Sequence, residues 1–105
     1  IIATTGFNGL SVYGASKASM EGFTKSLSRE LGKAKITVNC VAPGYMATEM
    51  TSGLQGDKLA SIVRRSPMKK LATPDDVSHA VLYLMSDLAK AITGTTITVD
   101  AGSTA

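Results

Sequence analysis

The fold of this chain follows from nine consecutive residues, Ile36-Thr37-Val38-Asn39-Cys40-Val41-Ala42-Pro43-Gly44. The first six are rich in β-branched side chains, which favour extended backbone. Pro43 and Gly44 then form a dipeptide that is typical of sharp turns. The stretch therefore predicts a strand over 36–41 that runs into a tight loop.

A long helix is predicted before this strand, over residues 12–31. Gly32 follows its last apolar residue and is the expected C-terminal stop. At roughly 100° per residue, the helix has two packing faces. One sector holds Tyr13, Lys17, Met20, Phe23, Leu27 and Leu31, and the opposite side holds Ala15, Ser19, Gly22 and Ser26.

After the strand, the pattern predicts a mobile flap over 45–67, in which Asp57 caps a short helix that ends at Arg65. Thr73-Pro74-Asp75-Asp76 then combines a cap residue, a proline suited to the first helical position and acids in the first turn. This pattern predicts the start of another helix. A turn over 86–94 and a final strand over 95–99 complete the prediction.

The order helix, strand, flap, helix, strand is typical of α/β folds, since strands joined by helical crossovers pair in parallel. Such a sheet is covered on both faces and needs more than two strands. We therefore expect half of a layered α/β structure that is incomplete by itself. The chain opens on Ile1-Ile2 without a methionine, which suggests a fragment or a processed chain.

Composition excludes several classes of protein. A length of 105 residues suits one modest domain and excludes a two-lobed enzyme. The content of 44% hydrophobic and 18% charged residues excludes disordered and collagen-like chains. The single cysteine, Cys40, excludes an internal disulfide framework and predicts a reducing cytoplasm. No apolar stretch approaches the ~18 residues of a membrane span, so no membrane partner is expected.

Tyr13 and Lys17 lie four residues apart on the predicted helix, so their head groups can address one site. A unit charge about 4 Å away, at an effective dielectric of about 20, contributes on the order of 4 kcal/mol. Lowering a tyrosine pKa from about 10 to about 7 requires that much free energy. Lys17 alone can therefore make Tyr13 a useful acid or base near neutrality. The same spacing also fits a core tyrosine beside a lysine.

Four ordered segments resemble the short-chain dehydrogenase/reductase family, closest in texture to 3-oxoacyl-[acyl-carrier-protein] reductase-like members. They are Tyr13-Gly14-Ala15-Ser16-Lys17, the strand ending in Pro43-Gly44, Leu71-Ala72-Thr73-Pro74-Asp75-Asp76-Val77, and Ile92-Thr93-Gly94 with Val99-Asp100-Ala101-Gly102. The resemblance spans essentially the whole chain. It implies that residues 1–105 are the C-terminal half of a single Rossmann-like domain with a doubly wound parallel sheet.

The resemblance also implies an NAD(P)-dependent oxidoreductase that interconverts a carbonyl and a secondary alcohol by hydride transfer, with no metal. Tyr13 would be the acid and base, while Lys17 would lower its pKa and hold the nicotinamide ribose. Pro43, Gly44, Met46 and Thr48 would shape the nicotinamide pocket. The substrate would be a small-molecule or acyl-carrier-linked carbonyl. The small-residue face of the long helix would join copies into a homo-oligomer.

Parts of the family pattern are missing from the chain. Its glycine-rich phosphate loop and its cofactor selector are not found, which leaves NAD against NADP open, and its serine would stand just before Ile1. The isolated chain is therefore expected to be inactive. The alternative is a non-catalytic oligomerising fragment. The family's closing Gly-Gly stands here as Ala101-Gly102, which is expected to alter a tight turn rather than the reaction.

Three further features of the sequence bear on function. The densest basic group is Arg64, Arg65, Lys69 and Lys70, which can contact phosphates of nucleic acid or of an acyl-carrier prosthetic group. No aromatic residue is interleaved with it, so a solvated edge is favoured and no nucleic-acid partner is expected. His79 is predicted to be a surface or interface residue. Cys40 is predicted to be a buried small hydrophobe.

Overall fold

A computed structural model of the chain describes residues 3, 6–46 and 56–105. Its helices are α1 (Ser11–Leu31), α2 (Gly56–Arg65) and α3 (Pro74–Met85), and its strands are β1 (Cys40–Pro43) and β2 (Thr96–Val99). Short 3₁₀ turns follow α1 at Gly32–Ala34 and α3 at Asp87–Ala89. This order confirms the predicted α/β class. Residues 47–55 of the predicted flap lie outside the described residues.

α1 begins at Ser11 and ends at Leu31, within one residue of the prediction. Gly32 is the C-cap, as predicted, but it keeps a right-handed φ of −57° and does not make the left-handed turn that is typical of a glycine cap. Lys35 takes the left-handed φ of 57° instead. The N–H groups of Lys35 and Ile36 donate to the carbonyls of Gly32 at 3.0 Å and Leu31 at 3.4 Å. The helix therefore tightens into a 3₁₀ turn before a Schellman-type end at Lys35.

The buried face of α1 carries small polar residues, Thr24 and Ser28. Each hydroxyl donates to a carbonyl of the preceding turn, at 2.7 and 2.8 Å, so burial leaves neither without a partner. Gly94 lies against this face, since a Cβ built on it would be 2.7 Å from Ser28 Oγ. Met20 and Phe23, from the predicted apolar sector, are 52% and 58% exposed.

β1 and β2 form a two-stranded sheet. The Cys40 N–H donates to the Thr95 carbonyl at 2.9 Å, and the Gly44 N–H donates to the Val99 carbonyl at 3.0 Å. The later residue of one strand is bonded to the later residue of the other, so the two strands run in the same direction. The pairing is therefore parallel, as predicted. β2 matches its prediction to within one residue, whereas β1 is shifted from residues 36–41 to residues 40–43.

The shift of β1 has a physical cause in the side chain of Asn39. Its Nδ2 donates to the Ile92 carbonyl at 2.9 Å, and its Oδ1 accepts from the Thr95 N–H at 3.3 Å. The Asn39 side chain thus pairs the Ile92 carbonyl and the Thr95 N–H, backbone groups that a neighbouring strand would otherwise pair. The regular strand therefore begins only at Cys40.

The two later helices differ in how well their starts were predicted. α2 ends at Arg65 as expected, but Asp57 lies inside its first turn rather than at its cap. α3 has the predicted cap: Thr73 Oγ1 accepts from the Asp76 N–H at 3.2 Å, and Asp76 Oδ2 accepts from the Thr73 N–H at 2.8 Å. This capping box lowers the pKa of Asp76, chiefly through the bond from the Thr73 backbone.

The chain divides into two compact units, the first formed by Ile1–Cys40 with Tyr83–Ile97 and the second by Val41–Leu82 with Thr98–Ala105. Among the described apolar residues, only Ala89 in the first unit and Ala72 in the second are buried. Val12, Met85 and Leu88 of the first unit are 82%, 79% and 83% exposed. Such thin cores and uncovered apolar side chains agree with a sheet that is incomplete by itself.

Candidate active site

Tyr13 and Lys17 meet on the first turns of α1. The Lys17 Nζ lies over the Tyr13 ring, 5.1 Å from its centroid, which is within the range of a cation–π contact. Both side chains are exposed, Tyr13 at 44%. Within the described residues, Tyr13 is therefore not part of a core.

Helix geometry brings this pair together and also sets its electrostatics. Side chains four apart stack on one face and lean towards the N-terminus. Tyr13 lies in the first turn of α1, where Leu10 gives no side-chain cap and no acidic residue is present. The N–H groups of that turn leave partial positive charge near Tyr13, and Lys17 adds a full charge. The first turns of α1 therefore carry positive charge beside the Tyr13 ring.

The Pro43-Gly44 corner ends β1 in the second unit. A Cβ built on Gly44 would be 2.5 Å from the Asp100 Cβ and 2.9 Å from the Asp100 Cα. Bonded atoms aside, carbon atoms do not approach this closely, so no side chain fits at Gly44. The Gly44 N–H also donates to the Val99 carbonyl at 3.0 Å. The corner is therefore held against the turn that follows β2.

That turn is built around the carboxylate of Asp100, which is 8% exposed. Oδ1 accepts from the Gly102 N–H at 2.8 Å, and Oδ2 accepts from the N–H and the hydroxyl of Thr104 at 2.8 and 2.7 Å. Burial alone would raise the pKa of Asp100, but these bonds outweigh it and hold the pKa below its ordinary value. Ala101, within this turn, takes a left-handed φ of 55°.

The predicted site residues fall into two groups. Tyr13 and Lys17 lie together in the first unit, whereas Pro43, Gly44 and Met46 lie in the second. Pro43 is exposed, and Met46 is half-buried. The remaining predicted residue, Thr48, lies outside the described residues.

Sequence reasoning missed the structural role of Asp100 and its contact with Gly44. A usable signal was present, because an aspartate followed by glycine two residues later and threonine four residues later can hydrogen-bond its own turn. That signal predicts the turn around Asp100. It does not predict which backbone segment packs against it.

The histidine, the cysteine and the basic group of the sequence differ in their exposure. His79 is exposed, as predicted for a surface residue. Cys40 is half-buried, which corrects the prediction of full burial, since a sheet of two strands leaves its faces partly uncovered. The basic group Arg64, Arg65, Lys69 and Lys70 is exposed.

Metal-binding clusters and membrane-spanning helices are both absent from the described ranges. Within residues 3, 6–46 and 56–105, no three His, Cys, Asp or Glu side chains are grouped to hold a metal ion. In the same ranges, every helix is too short or too polar to cross a bilayer.

Known proteins resemble this chain over nearly all of its length. The family model described as enoyl-(acyl carrier protein) reductase matches residues 1–104. The 3-oxoacyl-[acyl-carrier-protein] reductase FabG of Escherichia coli K12 is 42% identical over 102 residues, which cover 97% of this chain and 42% of FabG. The chain thus spans about two fifths of the length of this relative.

Solved structures share the same backbone. A short-chain dehydrogenase/reductase from Brucella melitensis, described as a glucose/ribitol dehydrogenase, has a TM-score of 0.93 at 35% identity and covers 100% of this chain and 42% of its own. A 4-hydroxyisoleucine dehydrogenase complexed with NADH has a TM-score of 0.84 at 34% identity, over 88% of this chain and 39% of its own. The names of these relatives refer to different substrates, whereas the solved structures share one fold.

Proposed function

This chain belongs to the short-chain dehydrogenase/reductase family, and we propose that it forms the C-terminal half of a Rossmann-like domain in an NAD(P)-dependent oxidoreductase. The proposed reaction interconverts a carbonyl and a secondary alcohol by hydride transfer. The observation that carries the proposal is the Lys17 Nζ over the exposed Tyr13 ring, 5.1 Å from its centroid. The relative that was solved with NADH supports a nicotinamide cofactor.

Tyr13 is the proposed acid and base. In reduction the phenol donates its proton to the carbonyl oxygen as that oxygen gains negative charge, and in oxidation the phenolate takes the hydroxyl proton. Its exposure of 44% leaves the ring open to a substrate. Lys17 and the N–H groups of the first helical turn place positive charge beside the ring.

Lys17 is proposed to serve the cofactor as well as Tyr13. Its ammonium carries three N–H donors and no acceptor, a set that suits two neighbouring ribose hydroxyls. Among the described residues, no carboxylate forms an ion pair with Lys17, so its donors are available. When bound, the nicotinamide supplies or accepts the hydride.

Pro43, Gly44, Met46 and Thr48 are proposed to shape the nicotinamide pocket. Ligands of open α/β sheets bind at the carboxyl ends of parallel strands, and Pro43 is the last residue of β1. The contact between Gly44 and Asp100 supports a rigid corner at that strand end. A rigid corner keeps backbone groups in place without waiting for a ligand to order them.

Tyr13→Phe in the full-length protein tests the acid–base assignment. Removing the hydroxyl is expected to lower kcat by about 100-fold or more, the usual contribution of a positioned proton donor. Tyr83→Phe is a matched control, because Tyr83 is also 44% exposed and lies in the same unit. A Tyr13→Phe enzyme that keeps most of its rate contradicts the assignment, as does an equal loss in Tyr83→Phe.

Assays with both NADH and NADPH identify the cofactor.

The substrate is proposed to be a carbonyl compound, either a small molecule or one linked to an acyl carrier. The 42% identity to a 3-oxoacyl-[acyl-carrier-protein] reductase supports the second. Comparing kcat/KM for a 3-oxoacyl group on the carrier protein and on a short thiol separates the two. A preference for the short thiol contradicts recognition of the carrier.

A homo-oligomer is proposed through the small-residue face of α1. Its members Ala15, Ser19, Gly22 and Ser26 are exposed, and a Cβ built on Gly22 meets nothing within 4 Å. Small side chains let a second helix approach closely. The same face favours the second candidate function, a non-catalytic oligomerising module, which predicts assembly of the chain without binding of NADH or NADPH.

Gly22→Leu is expected to shift the full-length protein towards monomer, because the larger side chain separates the paired helices. Sedimentation velocity measures the particle mass. Lys33→Leu adds the same side chain at an exposed position outside this face and is expected to leave the mass unchanged. A Gly22→Leu protein of wild-type mass excludes this interface.

The cytoplasm is the proposed compartment. The support is the single cysteine, which is expected of a chain in a reducing environment. Fractionation of cells that express the full-length protein checks this proposal, and recovery in a secreted or membrane fraction contradicts it.

A further inference from the structure

A cavity of about 240 Å³ lies in the second unit. It is lined by Tyr45, Lys58, Ser61, Ile62 and Arg65. The volume is below the usual ~300–1,000 Å³ of drug-sized ligand pockets, so it suits a small group rather than a whole cofactor.

The lining is cationic. Lys58 and Arg65 bring two positive charges, while Tyr45 and Ser61 bring hydroxyl donors, and none of the described residues in the lining carries a carboxylate. Among the described residues, none of these four polar side chains has a hydrogen-bond or ion-pair partner. The described lining therefore offers a ligand two cationic groups and two hydroxyls that can donate hydrogen bonds.

The spacing along α2 lets these donors converge. Residues 58, 61, 62 and 65 lie on one face of the helix, within an arc of roughly 100°. Lys58 and Arg65 are seven positions apart, a rise of about 10.5 Å, and both are long enough to reach inwards from the two ends of the cavity. Ser61 lies between them, and Ile62 supplies the one aliphatic wall.

We propose that this cavity binds the phosphate of a phosphate monoester. Such a group carries about −1.5 to −2 charges at neutral pH and three strong acceptor oxygens, which match two cations and two hydroxyls. Arg65 belongs to the basic group singled out in the sequence, whereas Lys58 joins it only through the fold of α2. None of the lining residues belongs to the Tyr13–Lys17 pair, so loss of phosphate binding would leave the acid–base proposal standing.

Calorimetric titration of the full-length protein with glycerol 3-phosphate tests the site, at constant ionic strength set with chloride. Saturable binding is expected, and Lys58→Gln and Arg65→Gln are each expected to weaken it by about tenfold or more. Ser61→Ala removes one hydroxyl without changing the charge and is expected to weaken it by a smaller factor. Inorganic phosphate as a second probe distinguishes free phosphate from an ester as the source of the group.

Arg29→Gln and Lys33→Gln are the matched controls, since both residues are exposed, lie in the first unit and carry the same charge. They are expected to leave the affinity within about twofold, because neither side chain lines the cavity. Equal losses in these controls would show attraction to net charge and overturn the proposal, as would the absence of saturable binding. Thermal unfolding of each variant verifies that the fold is intact.

Discussion

The Tyr13–Lys17 turn and the Gly44–Asp100 corner hold their residues in opposite ways. Tyr13 is 44% exposed, and its ring contacts the Lys17 ammonium from one side. Asp100 is 8% exposed and accepts three hydrogen bonds through its carboxylate. The residues proposed to meet a substrate are lightly held, whereas the corner is fixed by several contacts at once. Substitutions at the two places should therefore separate activity from stability.

Gly44→Ala is expected to have the largest effect on stability. Its Cβ would be 2.5 Å from the Asp100 Cβ, so the corner must open, at a cost of about 3 kcal/mol in the free energy of unfolding. Denaturant unfolding of the full-length protein measures this. Gly32→Ala, where a Cβ meets nothing within 4 Å, is the control. Tyr13→Phe should stay within about 0.5 kcal/mol of wild type. Equal stability of Gly44→Ala and Gly32→Ala would contradict the close contact.

Asp100→Asn is expected to cost about 1–3 kcal/mol, because the new amide presents N–H donors to the donors of Thr104. The pKa of Asp100 is lowered in the folded state, so its contribution is present above the unfolded value of about 3.9 and is lost as the pH falls through the folded pKa. Denaturant unfolding between pH 7 and pH 2 measures this difference.

The expected pH profile of Asp100→Asn converges with that of wild type in acid. Asp87→Asn is the control, because the Asp87 side chain is 94% exposed and is expected to change stability little. A constant gap between wild type and Asp100→Asn down to pH 2 would show that ionisation of Asp100 does not stabilise the fold.

Ala101→Gly is expected to have the smallest effect and the opposite sign. Ala101 has a φ of 55°, which costs a residue with a Cβ about 1–2 kcal/mol. Glycine relieves this but gains entropy in the unfolded chain, which leaves a net stabilisation of about 0.5–1 kcal/mol. Ala34→Gly, in the right-handed 3₁₀ turn after α1, should be destabilised by a similar amount. A lower midpoint of denaturation for Ala101→Gly would contradict strain at this turn.

Local features of the fold were well predicted from sequence. The bounds of α1, the capping box between Thr73 and Asp76 and the position of β2 all agree with the pattern to within a residue. Tyr13 and Lys17 meet for the same reason, since both lie on one face of one helix. Each of these features depends on groups within a few positions along the chain.

Features that join distant segments were not predicted. The start of β1 depends on the Asn39 side chain and the Thr95 N–H, which are 56 positions apart. The left-handed residue after α1 is Lys35 and not the glycine at position 32, because a 3₁₀ turn over Gly32–Ala34 comes before it. The contact between Gly44 and Asp100 likewise cannot be predicted from the residues next to Gly44 or from those next to Asp100.

Sequence was sufficient for the α/β class, the order of the helices and strands, the capped start of α3 and the Tyr13–Lys17 pair, because backbone periodicity and neighbouring side chains specify them. Three-dimensional packing was needed to show that Gly44 has no room for a side chain and that Asp100 is buried and bonded. It also showed that Lys58 shares a cavity with Arg65 and Tyr45. Burial and close approach are properties of segments that meet only when the chain folds, so composition and spacing do not contain them.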